Sequence, residues 1–156
     1  MKRTAKWWDL FYIGAAEYFS TASKDPSTQT GAVIVRPNKS VAGCGFNGFP
    51  QGMPDDPEVY ADRPAKYSRI VHCEINAFLF ANGPVHGGTL YTYPFLSCDR
   101  CFVQLAQAGI RRFVAPMPSI DATSRWGAAF DLVRMYAKEM KLEVTEIHYE
   151  NRFAKL

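Results

Sequence analysis

Any ion held by this chain would draw its ligands from two places at once: His72, in His72-Cys73-Glu74, and the thiols of Cys98-Asp99-Arg100-Cys101. A fold that satisfies both must bring two separate segments to one point, and this demand restricts the architecture more than length or composition does. Cys98 and Cys101 share one face if they lie on a helix, and in a first turn the unpaired amides and the macrodipole favour thiolates. His72, opening the preceding helix, would deliver an imidazole to the same end of the sheet. Three protein ligands leave the fourth tetrahedral position open, which is the pattern of a catalytic zinc. Glu74 then stands near the ion without binding it, placed to move protons between water, substrate and leaving group.

A structural zinc would need a fourth ligand, and Cys44, Cys73 and His86 are the candidates. Cys73 faces about 100° away from His72 on a helix and reads as a small buried apolar residue. Cys44, inside a strand, reads the same way, and His86, between Pro84 and Gly87-Gly88, reads as a surface loop residue. The Ser97 hydroxyl is expected to cap the helix that carries the cysteines, with Asp99 suiting its dipole.

The chain around these segments alternates between helix and strand patterns. Trp7, Phe11, Ala15, Tyr18 and Phe19 recur at helical spacing over residues 6–22, with Asp9 and Glu17 assigned to the solvent side. Residues 31–35 read as a mostly buried strand, and a turn at Arg36–Lys39 leads to a second strand near 40–45, an antiparallel hairpin. The stretch 46–69 is rich in Gly, Pro and Asp and reads as a long functional loop. A helix is predicted over 70–81, a strand over 89–93, a helix over 98–108 capped by Gly109, and a strand over 111–115, the last three as a parallel crossover. A loop from Pro116 to Ser124, a helix over 126–141, a strand over 142–147 and a tail from about residue 150 to 156 complete the chain. The expected architecture is α/β, with helical layers around a mixed five-stranded sheet.

At 156 residues the chain is expected to form one domain, residues 1–156. A net charge of +3, from 18 basic and 15 acidic residues spread along the sequence, gives no sign of a nucleic-acid partner. Lys2, Arg3 and Lys6 precede an apolar stretch, but Asp9 and Glu17 interrupt it, so neither a secretory signal nor a membrane span is expected. The reading is cytoplasmic, in a cell or a virus-infected host cell, where thiols stay reduced and a Cys-x-x-Cys pair serves metal or redox chemistry.

His72-x-Glu74 followed by Cys98-x-x-Cys101 resembles the signature of zinc-dependent nucleobase deaminases. Ser23–Val35 (SKDPSTQTGAVIV), Gly45–Pro50 (GFNGFP) with Gly52 and Asp55-Asp56, His72–Ala77 (HCEINA) and Gln107–Ile110 (QAGI) are similar to the corresponding blocks of deoxycytidylate deaminases. That resemblance implies the cytidine-deaminase-like three-layer α/β/α fold and hydrolysis of dCMP to dUMP and ammonia for pyrimidine nucleotide supply. It implies Zn2+ on His72, Cys98 and Cys101, with Glu74 as proton shuttle. It also implies a homo-oligomer, a hexamer in much of the family, with dCTP and dTTP as effectors and Mg2+ bound with them. Asn47 takes the place of the asparagine that binds the sugar and phosphate side of the nucleotide, and Lys24 and Ser27 fall in the polar loop near the phosphate. Tyr93 or Phe95 would pack on the pyrimidine, the alternative being an ordinary core role. Two positions depart from the family pattern: Ser97 stands where proline usually precedes the first cysteine, and Cys73 replaces the usual alanine. The competing readings are a deaminase of another or modified nucleobase or nucleotide, and a non-catalytic nucleotide-binding zinc protein of the same fold.

Overall fold

Two buried carboxylates decide how the first helix sits. The computed structural model describes residues 2–153, and in it α1 (Ala5–Ser20) buries Asp9, Tyr12, Ile13, Ala16 and Glu17, whereas Phe11 and Tyr18 are exposed. This reverses the expectation that Asp9 and Glu17 face solvent. Each carboxylate is admitted to the interior because it is matched by donors. Asp9 accepts from the Arg112 guanidinium at 2.5 and 2.9 Å and from the Tyr91 hydroxyl at 2.9 Å. Glu17 accepts from the Tyr149 hydroxyl at 2.6 Å and from the backbone amides of Arg152 and Phe153. The beginning of the expected tail is therefore pinned to α1, while residues 154–156 lie outside the described residues.

β1 (Gly31–Val35) is buried along its whole length and pairs antiparallel with β2 (Val41–Phe46), which is the expected hairpin. The stretch after β2 departs from the expected loop, because its prolines start helices. Asp56 and Asp62 cap α2 (Pro57–Ala61) and α3 (Arg63–Tyr67), each of which has proline in its first two positions, where the missing amide hydrogen costs nothing. The helix expected from residue 70 begins later, as α4 (Cys73–Leu79) with His72 as its N-cap. A two-way backbone bridge between Gly48 and Val71, at 3.1 and 2.8 Å, holds the chain extended up to that point.

β3 (Thr89–Tyr93) ends in a cis Tyr93–Pro94 peptide and leads to α5 (Asp99–Gln107). Cys98 is the N-cap of α5: its sulfur accepts from the Cys101 amide at 3.4 Å. Ser97, expected in that role, is fully buried, and its hydroxyl has no partner among the described residues. Gly109 follows the helix with φ of 99°, a left-handed turn that glycine adopts without strain. β4 (Arg112–Pro116) runs parallel to β3. α6 (Ile120–Met140) starts six residues before the expected Trp126, because Ser119 caps the Ala122 amide at 3.1 Å and Thr123 bonds back to the Ser119 carbonyl. β5 (Glu143–Ile147) completes a mixed five-stranded sheet in the order β2-β1-β3-β4-β5.

Strand alternation splits the interior in two. Ala32, Ile34, Leu90, Phe113 and Ala115 meet Ala77 of α4, Phe102 and Leu105 of α5, and Phe130 and Val133 of α6. Val33, Val35, Tyr91 and Val114 point the other way, onto Tyr12, Ile13 and Ala16 of α1. The layers are thus α1, the sheet, and α4 with α5 and α6. Pairing of Gly31 with both Phe46 and Tyr93 places the start of β1, the end of β2 and the end of β3 at one edge of the sheet. Among the described residues no helix is long and apolar enough to cross a membrane.

Candidate metal centre and active site

At that edge the caps of α4 and α5 converge. His72 Nδ1 lies 3.5 Å from Cys98 Sγ and 3.4 Å from Cys101 Sγ, and the three ligand atoms all fall within 4.8 Å of one another. A tetrahedral zinc with ordinary Zn–N and Zn–S bonds separates its nitrogen and sulfur ligands by about 3.5 Å, so the donor set fits that ion in both chemistry and spacing. The one-nitrogen, two-sulfur set leaves a fourth position for a non-protein ligand. His72 is open to the cavity, Cys98 is half-buried and Cys101 is buried.

Without metal the three groups share protons through short contacts. The imidazole of His72 is pushed up to about 9, first by its hydrogen bond to Cys98, with burial opposing and the negative charges of Glu74 and Cys98 adding to the rise. Cys98 is held down to about 4 by its hydrogen bonds to Cys101 and His72, against burial. The same bond leaves the shared proton on Cys101, whose thiol is pushed up. A zinc ion entering this set displaces the protons that its nitrogen and sulfur ligands carry.

Glu74 is nearly fully buried and lines the same cavity as His72 and Cys98, a space of about 140 Å³. The Cys73 thiol donates to Glu74 Oε2 at 3.2 Å, which fixes one carboxylate oxygen. Burial, together with the charge of Glu74, raises the Cys73 thiol well above its ordinary value, so it stays a neutral donor.

The residues assigned to nucleotide contacts separate into two groups. Asn47, Ser27, Tyr93 and Phe95 all line this cavity, whereas Lys24 does not. Lys24 is exposed, pairs with Asp55 at 2.5 Å, and lines a neighbouring depression. Asn47 is buried, and its amide is held at both ends. Oδ1 accepts from the Thr30 amide at 2.8 Å, and Nδ2 donates to the Thr28 carbonyl at 2.9 Å and to Asp25 at 3.3 Å.

Two features of the cavity escaped the sequence reading. Asp25 and Lys66 form a buried ion pair at 2.7 Å, with Lys66 also donating to Ser27 Oγ at 2.6 Å. Burial pushes the Asp25 carboxyl up, but hydrogen bonds from Lys66 and from Ser27 and Thr28 outweigh it and leave it lowered. The first turns of α6 supply Arg125 and Trp126 to the lining. The Asp-Pro turn after Lys24 was a usable signal for Asp25. Nothing local marked Lys66 or Arg125, whose roles depend on partners brought in by the fold.

The zinc-binding region of cytidine and deoxycytidylate deaminases matches residues 6–117. A protein of Aliivibrio fischeri, the uncharacterized deaminase in the luxG 3′ region, is 36% identical over 138 residues, covering 88% of this chain and 92% of that one. The mouse deoxycytidylate deaminase is 34% identical over 115 residues, which is 69% of this chain but only 63% of the mouse protein. The crystal structure of a cyanophage S-TIM5 dCMP deaminase in complex with dCMP and dUMP superposes with a TM-score of 0.70 at 23% identity, over 94% of this chain and all of that one. That likeness extends to the mixed five-stranded sheet and its flanking helices.

Proposed function

From the premise that this chain belongs to the cytidine and deoxycytidylate deaminase family, we propose that it hydrolyses dCMP to dUMP and ammonia. The observation that carries the proposal is that His72 and Cys98, grouped with Cys101 as a ligand set, line the same cavity as Glu74. His72, Cys98 and Cys101 would hold the zinc ion, which when bound makes a nucleophile of water near neutral pH. Glu74 takes one proton from the attacking water and passes it to the ring nitrogen of the cytosine, then takes the second from the hydroxyl formed at C4 and delivers it to the departing amine, which leaves as ammonia as the carbonyl of dUMP forms. Its burial keeps the carboxylate out of bulk water, and Cys73 holds one of its oxygens still. Tyr93 and Phe95 offer aromatic surface for the pyrimidine. Asn47 ties the loop of residues 25–30 to the end of β2, and its amide oxygen keeps a second lone pair for a sugar hydroxyl. Exposed Phe78, Leu79 and Phe80 at the end of α4 support a homo-oligomer.

The test is ammonia release from dCMP by the zinc-loaded protein, with Glu74→Ala prepared alongside and its metal content measured. Turnover that falls by about 10²- to 10⁴-fold in the variant while zinc is retained is the expected result. A zinc-replete protein that releases no ammonia from dCMP would move the assignment to a modified cytosine nucleotide.

A further inference from the structure

Resting on the deaminase reading, we propose that Arg125 is the residue that recognises the 5′-phosphate of the substrate and so selects nucleotide over nucleoside. The cavity is lined by three basic side chains among the described residues, His72, Lys66 and Arg125. His72 belongs to the metal set. Lys66 is committed: it is buried, 2.7 Å from Asp25 and 2.6 Å from Ser27 Oγ, so its charge is cancelled within the protein. Lys24, the cation expected for this role, stands outside the cavity and is paired with Asp55. Arg125 is the one of these whose only ion pair is loose and water-exposed. Its nearest carboxylate, Asp121, is 3.8 Å away, one helical turn back and largely exposed to water.

The guanidinium is nonetheless held in place. It lies 4.1 Å from the ring centroid of Trp126, and Trp126 packs in turn on Phe95 at 4.8 Å. Stacking over an aromatic face uses the plane of the guanidinium and leaves its five N–H donors directed outward around the edge. A planar fork of that kind matches the oxygens of a phosphate in a two-point contact, which an ammonium does not. Phe95 and Trp126 therefore join an aromatic wall to the anion-binding group. A nucleotide laid along that wall would present its phosphate to Arg125 and its base toward Glu74. Arg125 and Trp126 also fall outside residues 6–117, the segment matched to the family, so the assignment rests on the structure of this chain.

The experiment compares wild type, Arg125→Gln and Arg125→Lys, each zinc-loaded, for binding of dCMP and of deoxycytidine by titration calorimetry and for kcat/KM on both. Loss of a charge-assisted contact predicts that the preference for dCMP over deoxycytidine falls about 10- to 100-fold in Arg125→Gln, mainly through KM. Arg125→Lys should recover part of that preference, since the charge returns without the fork. A preference unchanged in Arg125→Gln, whether both ligands weaken together or neither does, would overturn the assignment. The binding measurement reads the contact even if wild type turns over neither substrate. That outcome would count against the deaminase reading and leave the phosphate contact separately decided.

Discussion

Asp25 is the residue on which the geometry of the polar wall depends. Its carboxylate accepts from Lys66, from the amide and hydroxyl of Ser27, from the Thr28 amide and from Asn47, and so joins α3, the loop before β1 and the end of β2. Replacing it with asparagine would leave the Lys66 ammonium buried without its counter-charge. Breaking a buried pair in this way costs about 3–5 kcal/mol, and urea denaturation of Asp25→Asn should show a loss of that size at neutral pH. The pair also fixes a pH dependence. Because the folded carboxyl is lowered from its ordinary 3.8, the unfolded chain binds the proton more readily. The stabilisation is complete above that ordinary value and is lost as pH falls through the lower folded one. The gap in urea midpoint between wild type and Asp25→Asn should therefore narrow toward pH 3. A gap that stays constant from pH 7 to pH 3 would show that the carboxylate's charge contributes nothing there.

At the scale of elements, the position of α4 is set by a glycine of β2. A Cβ on Gly45 would stand 2.5 Å from the Ala77 amide nitrogen and 2.8 Å from the Cys73 carbonyl oxygen, backbone atoms that cannot step aside singly. Gly45→Ala should push the helix off the sheet, with an overpacking loss of about 1–3 kcal/mol and weaker zinc binding as His72 moves with the helix. Gly48→Ala, where a new Cβ meets nothing within 4 Å, is the control and should change neither the denaturation midpoint nor the zinc affinity. The sequence made the strands, α5 and the His72, Cys98 and Cys101 grouping legible, because β-branched runs and His/Cys spacing announce themselves locally. It misplaced the starts of α4 and α6, whose limits depend on the Gly48–Val71 bridge and on the Ser119 cap. It also turned α1 the wrong way. Periodicity counts a carboxylate as solvent-facing, and the Arg112 and Tyr149 side chains that admit Asp9 and Glu17 to the interior lie at the far end of the chain. For the same reason Lys66 and Arg125 were unreadable at the site: neither reaches the cavity until α3 and α6 are folded in place.

For the molecule as a whole, the open question is whether the metal holds the fold or is held by it. The proposed ligands come from the N-cap of α4 and from the N-cap and first turn of α5, two helices that share one apolar layer with α6. That layer is built on residues that do not line the cavity, such as Ile34, Leu90 and Phe113, and the opposite layer under α1 contains none of the three proposed ligands. In small zinc domains the ion replaces a core, and its removal unfolds the chain. Here the two cores exist independently, so the ion should act as a ligand of an already folded protein, stabilising it by mass action. A hundredfold excess of free zinc over its dissociation constant corresponds to about 2.7 kcal/mol, or a rise of roughly 5–10 °C in melting temperature for a chain of this size. Chelation at neutral pH should lower the melting temperature by that amount and abolish ammonia release, with the far-UV circular dichroism unchanged at 25 °C and both effects reversed on reloading. Because imidazole and thiol groups bind zinc only without their protons, the zinc-dependent part of the rise should shrink as the pH is lowered. Collapse of the secondary structure on chelation would instead show that the meeting of α4 and α5 depends on the ion. Unchanged melting would show that the three ligands do not bind it together.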